Sequence, residues 1–315
     1  MPEETGLRLD GFLVRRMSVS SVAAARRMLA AGVVRVNGRR APKGIHLVPG
    51  DRVNLEAESC VEVKPEPTPG LALPILYEDD FLVAVNKPAQ IPTHPLRPSD
   101  GPTVAGALIA RFPECSQASP DAREGGFVHR LDVGTSGVLV AARSREAWHR
   151  LREALSDPGC EKIYRAEFEG KFPDQAASEF ILPGPVPRCF VVTCPIGRQG
   201  RRGQKVRLNG GRHPLPSRTE IQLLTTRTLG GLVEARLSKG RAHQVRIHLA
   251  ALGIPVWGDA IYGVPREGLR LHAHQVIFVH PYTTQVLKVM APLPEWAVHG
   301  DDGHSNCAKL LSTNK

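Results

Sequence analysis

No stretch of the 315 residues approaches the run of roughly 20 apolar positions that a membrane-spanning helix needs, so no membrane partner is expected. The leading segment MPEETGLRLD lacks a basic start followed by an apolar stretch, which argues against export. No two cysteines have C-x-x-C spacing. The six present (Cys60, Cys115, Cys160, Cys189, Cys194 and Cys307) are too few for a disulfide framework, so a reducing cytoplasm is the expected location. Cys189 and Cys194 have no second pair of ligands nearby, so no metal is expected. Disorder of the whole chain is excluded by an ordinary balance of 42% hydrophobic and 23% charged residues. Acidic residues are in deficit, 31 against 41 Lys and Arg, and the net charge of +10 favours a polyanionic partner, nucleic acid first. The length predicts about two domains.

The first 56 residues read as a small unit. LRLDGFLVRRM (7–17) spaces Leu9, Phe12 and Leu13 as a helix does. An Ala-rich helix follows, with Ser18 or Ser20 as its cap and Gly32 at its stop. VVRVNGRR then gives a strand entering an Asn-Gly turn, and PGDRVNL (49–55) a turn into a last strand. This order resembles the ribosomal-protein-S-four type of RNA-binding domain, most closely in ARRMLAAGVVRVNG and VPGDRV. The resemblance implies an RNA-binding face, to which Arg26, Arg27, Arg35, Arg39, Arg40 and Lys43 correspond. The plainer reading of these charges is a solvated surface. The assignment is 1–63 for this domain, 64–74 for a proline-rich linker (KPEPTPGLALP), 75–297 for the body and 298–315 for a disordered tail.

In the body, FLVAVNKP (81–88), GVLVAA (137–142), KIYRAEFEG (162–170), TEIQLL (219–224) and LVEARL (232–237) read as strands. TVAGALIARF (103–112) and REAWHRLREALS (145–156) read as helices. Strands and helices do not alternate regularly, so the class expected is α+β rather than a doubly wound sheet. Residues 188–218 hold eight basic residues and no acidic one, with five glycines. They read as a flexible basic loop or hairpin, with Arg198, Arg201, Arg202 and Lys205 as RNA contacts or, more plainly, as a solvated insertion.

HRLDVGTSGVLVAA (129–142) places one acid, Asp132, after Arg130 on a loop leading into a strand. By residue type alone Asp132 is a nucleophile, a general base, a metal ligand or a turn cap. The string H-R-L-D-x-x-T-S-G resembles the central motif of the RluA-type pseudouridine synthases. Further segments resemble that family in order: EDDFLVAVNKPAQIPTHP (78–95), KIYRA (162–166), GRAHQVRIHLAALGIPVWGDAIYG (240–263) and LRLHAHQVIFVHPYT (269–283). The resemblance implies a mixed, mostly antiparallel catalytic sheet, preceded by the small α/β RNA-binding domain. It also implies an RNA isomerase that uses no cofactor. Asp132 corresponds to the family's catalytic aspartate, Arg246 to the arginine that pairs with it, Tyr164 to the tyrosine that stacks on uracil, and Arg130 to the side chain that fills the place of the extruded base, its plainer reading being a phosphate contact. Ala242 stands where threonine is usual and Gln90 where glycine is usual. His129, His243, His248, His272, His274 and His280 read as hydrogen-bonding residues. The leading basic domain favours ribosomal over transfer RNA, the large subunit first, as the partner of a monomer. A non-catalytic RNA binder and a nucleoside hydrolase are the competing readings.

Overall fold

The computed structural model describes residues 6–17, 19, 22–42, 44–55, 63–96, 100–175, 178–199 and 205–298. Its leading unit runs from α1 (Leu9–Arg16) and α2 (Val22–Ala31) to a sheet of β1 (Val34–Val36), β2 (Arg39–Arg40) and β3 (Val53–Leu55), in the order β2-β1-β3. The helical spacing brings Leu9 and Leu13 of α1 against Ala25 and Leu29 of α2, and with Val34 and Val36 they form a separate core. The Asn-Gly turn forms between β1 and β2. Asn37 (φ 53°) and Gly38 (φ 76°) are both left-handed, as a two-residue hairpin turn of the right twist demands. Asn37 also accepts from the Arg52 amide (2.9 Å) and donates to Asp51 (2.7 Å), which ties the turn to the start of β3. Ser18, Ser20 and the segment from 299 onward lie outside the described residues.

The body contains β4 (Ile75–Glu78), β5 (Leu82–Lys87), α3 (Val104–Arg111), β6 (Ser136–Ala142), α4 (Arg145–Ala154), β7 (Glu161–Glu169), β8 (Ile181–Pro183), β9 (Cys189–Thr193), β10 (Ile196–Gln199), β11 (Lys205–Leu208), β12 (Arg212–Leu215), β13 (Arg218–Arg227), β14 (Gly230–Leu237), α5 (Gln244–Ala251), β15 (Leu271–Val279) and β16 (Val286–Met290). Ten strands make one sheet, ordered β4-β5-β6-β15-β7-β14-β13-β9-β8 with β16 beside β15. The β6–β15 pairing is parallel and the others in the sheet are antiparallel, so the body is the mixed α+β sheet expected.

The continuous apolar runs in β5 and β6 follow from burial on both faces, because successive strand side chains point opposite ways. Leu82, Ala84, Val138 and Val140 pack with Ala147 and Leu151 of α4. Val83, Val85, Leu139 and Ala141 pack with Val104 and Leu108 of α3. Thr103 caps α3 by accepting from the Gly106 amide (3.1 Å), and Ser144 caps α4 by accepting from Ala147 (3.2 Å). Where β6 meets β15, Gly137 has φ 111° and a Cβ there would collide with the Ala273 carbonyl. Glycine is therefore required where the motif turns into the sheet. Part of the proline-rich 64–74 stretch is docked on the body: Pro65 is buried, and the Thr68 amide donates to the Gly106 carbonyl of α3 (3.0 Å).

The arginine-rich segment is largely strand. β9 joins the main sheet, and β10, β11 and β12 form a second sheet in the order β11-β10-β12. Ile196, Val206 and Leu208 of that sheet pack against Ile247 of α5 and against Tyr262.

Candidate active site

Asp132 sits on the loop that enters β6, and the loop is fastened on both sides of it. Before it, the Leu131 carbonyl accepts from the Thr93 hydroxyl (3.0 Å). After it, the Lys87 ammonium donates to the carbonyls of Val133 (3.0 Å) and Thr135 (2.7 Å), and also to that of Pro88 (2.8 Å). The Thr135 amide closes a turn onto the Asp132 carbonyl (3.1 Å). Lys87 is wholly buried at the end of β5. Burial pushes its pKa down to about 8, against an opposing pull from Asp132.

One carboxylate oxygen of Asp132 is engaged. Arg246 Nη1 donates to Oδ2 at 2.8 Å. The same guanidinium is held from behind by Asp259, through Nε to Oδ2 (2.8 Å) and Nη2 to Oδ1 (2.7 Å). Asp259 has no solvent exposure, and Oδ1 accepts as well from the Ile261 and Tyr262 amides (2.9 and 3.2 Å). Burial works to lower the Arg246 pKa, but the two carboxylates outweigh it and raise the value above the ordinary one. Burial works against ionised Asp259, yet Arg246 and the two amides hold its pKa below the usual carboxylate range. Arg246 thus stays charged and is aimed by a planar two-point clamp.

The other oxygen, Oδ1, faces His243, whose Nε2 lies 3.8 Å away. Tyr164, on β7 opposite Ala235 and Ala273, packs against two hydrophobic clusters, one that holds Val245 and one that holds Leu131. Burial, followed by the charge of Asp132, raises its pKa, so the phenol keeps its proton at neutral pH. Arg130 is exposed at the rim. Its charge reaches His94, whose pKa burial already pushes down to about 4.

The structure therefore brings Asp132, Arg246 and Tyr164 together and leaves Arg130 on the edge. The six histidines each make a hydrogen bond. His129 accepts from the Val140 amide, His248 meets Ser217 and Thr219, His272 meets Ser136, His274 meets the Ala291 carbonyl, His280 meets Asp79, and His243 meets Tyr262.

Among the basic residues, Arg26 pairs with Asp10 (2.8 Å), Arg35 donates to the Gly38 carbonyl (3.3 Å) and Arg40 to that of Ala30 (3.1 Å). Arg39, Arg198 and Lys205 are exposed. The side chain of Arg27, and all of Lys43, Arg201 and Arg202, fall outside the described residues.

Sequence reasoning gave no role to Lys87, Asp259 or Tyr262. All three lie inside quoted motif segments (N-K-P-A and G-D-x-x-Y-G), but the loop partners of Lys87 are 46 and 48 residues away, and the pairings of Asp259 with Arg246 and of Tyr262 with His243, 13 and 19 residues apart, follow no helix or strand period. Gln90 has φ 65°, the left-handed region that favours the family's usual glycine, and it is exposed and away from Asp132's contacts.

Residues 81–251 match the family model for RNA pseudouridylate synthase, and residues 7–53 match that of the S4 domain. An uncharacterized RNA pseudouridine synthase of Mycobacterium bovis is 34% identical, covering 92% of this chain and 91% of its own. A ribosomal large subunit pseudouridine synthase D of Neisseria meningitidis is 30% identical, over 94% of this chain and 78% of its own. Among solved structures, human RNA pseudouridylate synthase domain containing 1 is 26% identical with a TM-score of 0.53, covering 73% of this chain and 86% of that one. The chain belongs to the RNA pseudouridylate synthase family, isomerases that convert uridine in RNA to pseudouridine.

Proposed function

We propose that this protein isomerises specific uridines of large-subunit ribosomal RNA in the cytoplasm, with Asp132 as the catalytic carboxylate. The observation that carries this reading is the division of labour on Asp132: Arg246 clamps Oδ2 at 2.8 Å and leaves Oδ1 for the substrate. Support for the ribosomal target comes from the large-subunit relative and from the leading basic unit, which carries ten Lys and Arg against five Asp and Glu in residues 1–56.

The reaction breaks the bond from uracil N1 to C1′ and makes one from C5 to C1′. N1 gains a proton and C5 loses one, so no oxidant, reductant or nucleotide is consumed. Asp132 Oδ1 serves the electron-poor sugar, as a nucleophile at C1′ or as a base at C2′. Tyr164 stacks on the uracil while it turns. Its protonated phenol adds no negative charge beside Asp132. The target base must leave its stack, at a cost of a few kcal/mol, and the exposed Arg130 guanidinium fills the vacated place.

Tritium release from C5-labelled uridine tests this directly. Large-subunit ribosomal RNA should lose label with wild-type protein while transfer RNA does not. Binding without release would leave a mere RNA-binding protein, and free uracil would point to a hydrolase.

A further inference from the structure

The reaction as described uses Oδ1 of Asp132 but leaves unused the histidine that faces it, His243. The His243 ring is fixed from behind: its Nδ1 lies 3.0 Å from the Tyr262 hydroxyl. That hydroxyl in turn accepts from the backbone amide of Val206 in β11 (2.9 Å). With the Val206 amide donating to the Tyr262 oxygen, the Tyr262 proton is left to point at Nδ1. Neutral His243 then carries its own proton on Nε2, the nitrogen turned toward Asp132. Burial keeps the imidazole pKa below its ordinary value, and the nearby Arg246 and Arg130 add to the effect while Asp132 and Asp259 oppose it. His243 is also held with φ 55° at the start of α5, where its side chain makes no capping bond. Such strain in a non-glycine residue persists where the surroundings impose it, and it clusters at functional sites.

The gap from Nε2 to Oδ1 is 3.8 Å, too long for a direct hydrogen bond. It admits a single oxygen placed about 2.9 Å from a nitrogen donor and about 2.7 Å from a carboxylate acceptor. Such an oxygen must accept from one side and donate to the other, which describes a hydroxyl. A carboxylate that meets C1′ opposite the departing base approaches the face of the ribose that carries the 2′-hydroxyl. The C2′ proton lies on the other face, so contact with the 2′-hydroxyl goes with attack at C1′.

We propose that His243 Nε2 and Asp132 Oδ1 together bind the 2′-hydroxyl of the target uridine, so that His243 selects ribose over deoxyribose. The inference rests on the reading of Asp132 given above. It assigns His243 direct contact with substrate, with Tyr262 and the Val206 amide as the residues that orient it.

The test uses transcripts of a large-subunit ribosomal RNA domain, tritiated at uracil C5 and made with either uridine or 2′-deoxyuridine at every U. Full-length wild type, His243→Asn and His243→Gln are compared. Asparagine tolerates the left-handed backbone but is too short to reach, whereas glutamine can carry an N–H donor near the same point. The ratio of affinities for the two transcripts cancels any folding change of the RNA, since all three proteins meet the same molecules. Loss of one hydrogen bond should shrink that ratio about five- to tenfold in His243→Asn, with partial recovery in His243→Gln. Tritium release from the uridine transcript should slow in parallel, at an unchanged melting temperature. An unchanged affinity ratio in His243→Asn overturns the proposal, whatever happens to the rate. If wild type releases no label from the uridine transcript, the ribosomal-RNA reading itself has failed, and this inference with it.

Discussion

Lys87 and Thr135, 48 residues apart in the chain, are joined by a buried 2.7 Å hydrogen bond from the ammonium to the carbonyl, three residues beyond Asp132. With the bond to Val133, it makes Lys87 the anchor of the turn that presents the carboxylate. The ammonium has no solvent exposure, so its proton is held less firmly than usual, and the pKa falls to about 8. In the unfolded chain the ordinary value is 10.5. Between these two values the unfolded state binds more protons, and Lys87's contribution to stability rises with pH. The neutral amine, however, has two N–H donors for three carbonyls and no charge beside Asp132. Activity should therefore fall above about pH 8 while the melting temperature contribution of Lys87 rises, a divergence readable from tritium release and thermal melts on the same samples. In Lys87→Met the carbonyls lose their donor, and stability should drop by at least about 2 kcal/mol.

Asp132→Asn should abolish turnover and leave RNA affinity within a few fold. The amide keeps the shape but loses the charge that the reaction uses. Arg246 retains its two bonds to Asp259, so the melting temperature should barely move. Retention of more than a few percent of the wild-type rate would remove Asp132 from its role.

Arg246→Met should cost stability as well as catalysis, because Arg246 pairs with a buried carboxylate besides Asp132. Asp259 is fully buried, and without Arg246 its charge has no guanidinium partner. Removing one partner of a buried pair costs about 3–5 kcal/mol. The variant should therefore lose both activity and stability. Adding Asp259→Asn should restore much of the stability and none of the rate, and chemical denaturation of the two singles and the double measures that coupling.

The parts of this fold legible in the sequence are those whose signal is local. β5, β6 and α4 announce themselves as an apolar run, a second apolar run and an amphipathic stripe. α5 gives no such stripe. Gln244 through Leu249 are all buried, so no polar face marks the helix that carries Arg246. The arginine-rich segment is half legible: a hairpin is one of its two sequence readings, and β10 and β11 do pair antiparallel, but where its strands pack is hidden. Their charged residues alternate with few apolar ones, and their packing partners, Ile247 and Tyr262, lie some 40 to 60 residues on. Lys87 reads as the polar end of a strand. Its burial depends on carbonyls of a loop more than 40 residues away.

Truncation tests the leading unit and its tether. Removing residues 1–63 leaves Thr68 bonded to α3, and the remaining protein should melt close to the full chain and bind RNA more weakly. Removing 1–74 strips that contact and uncovers the Gly106 side of α3, so its melting temperature should fall by several degrees. Equal melting temperatures for the two truncations would show that the docked segment adds nothing to the fold.

The last prediction follows from the register of the arginine-rich sheet. Cross-strand partners share a face. Arg198 pairs with Val206 and with Arg212, and Val206 packs toward α5 and Tyr262, so Arg198 and Arg212 lie on the side turned toward the helix of Arg246. Lys205 and Arg207 alternate with Val206 and lie on the opposite side. If RNA reaches the site along the first side, Arg198 and Arg212 meet its phosphates and Lys205 and Arg207 do not. Each phosphate neutralised adds about 0.7–0.9 to the slope of log K against log salt. Arg198→Gln with Arg212→Gln should flatten that slope by about 1.5. Lys205→Gln with Arg207→Gln should change it by less than half as much, although the net charge removed is the same. Neither pair should shift stability by more than about 0.5 kcal/mol, because all four side chains are exposed. Equal slopes in the two double variants would mean that the sheet attracts RNA only through its overall charge and does not guide the strand along one face.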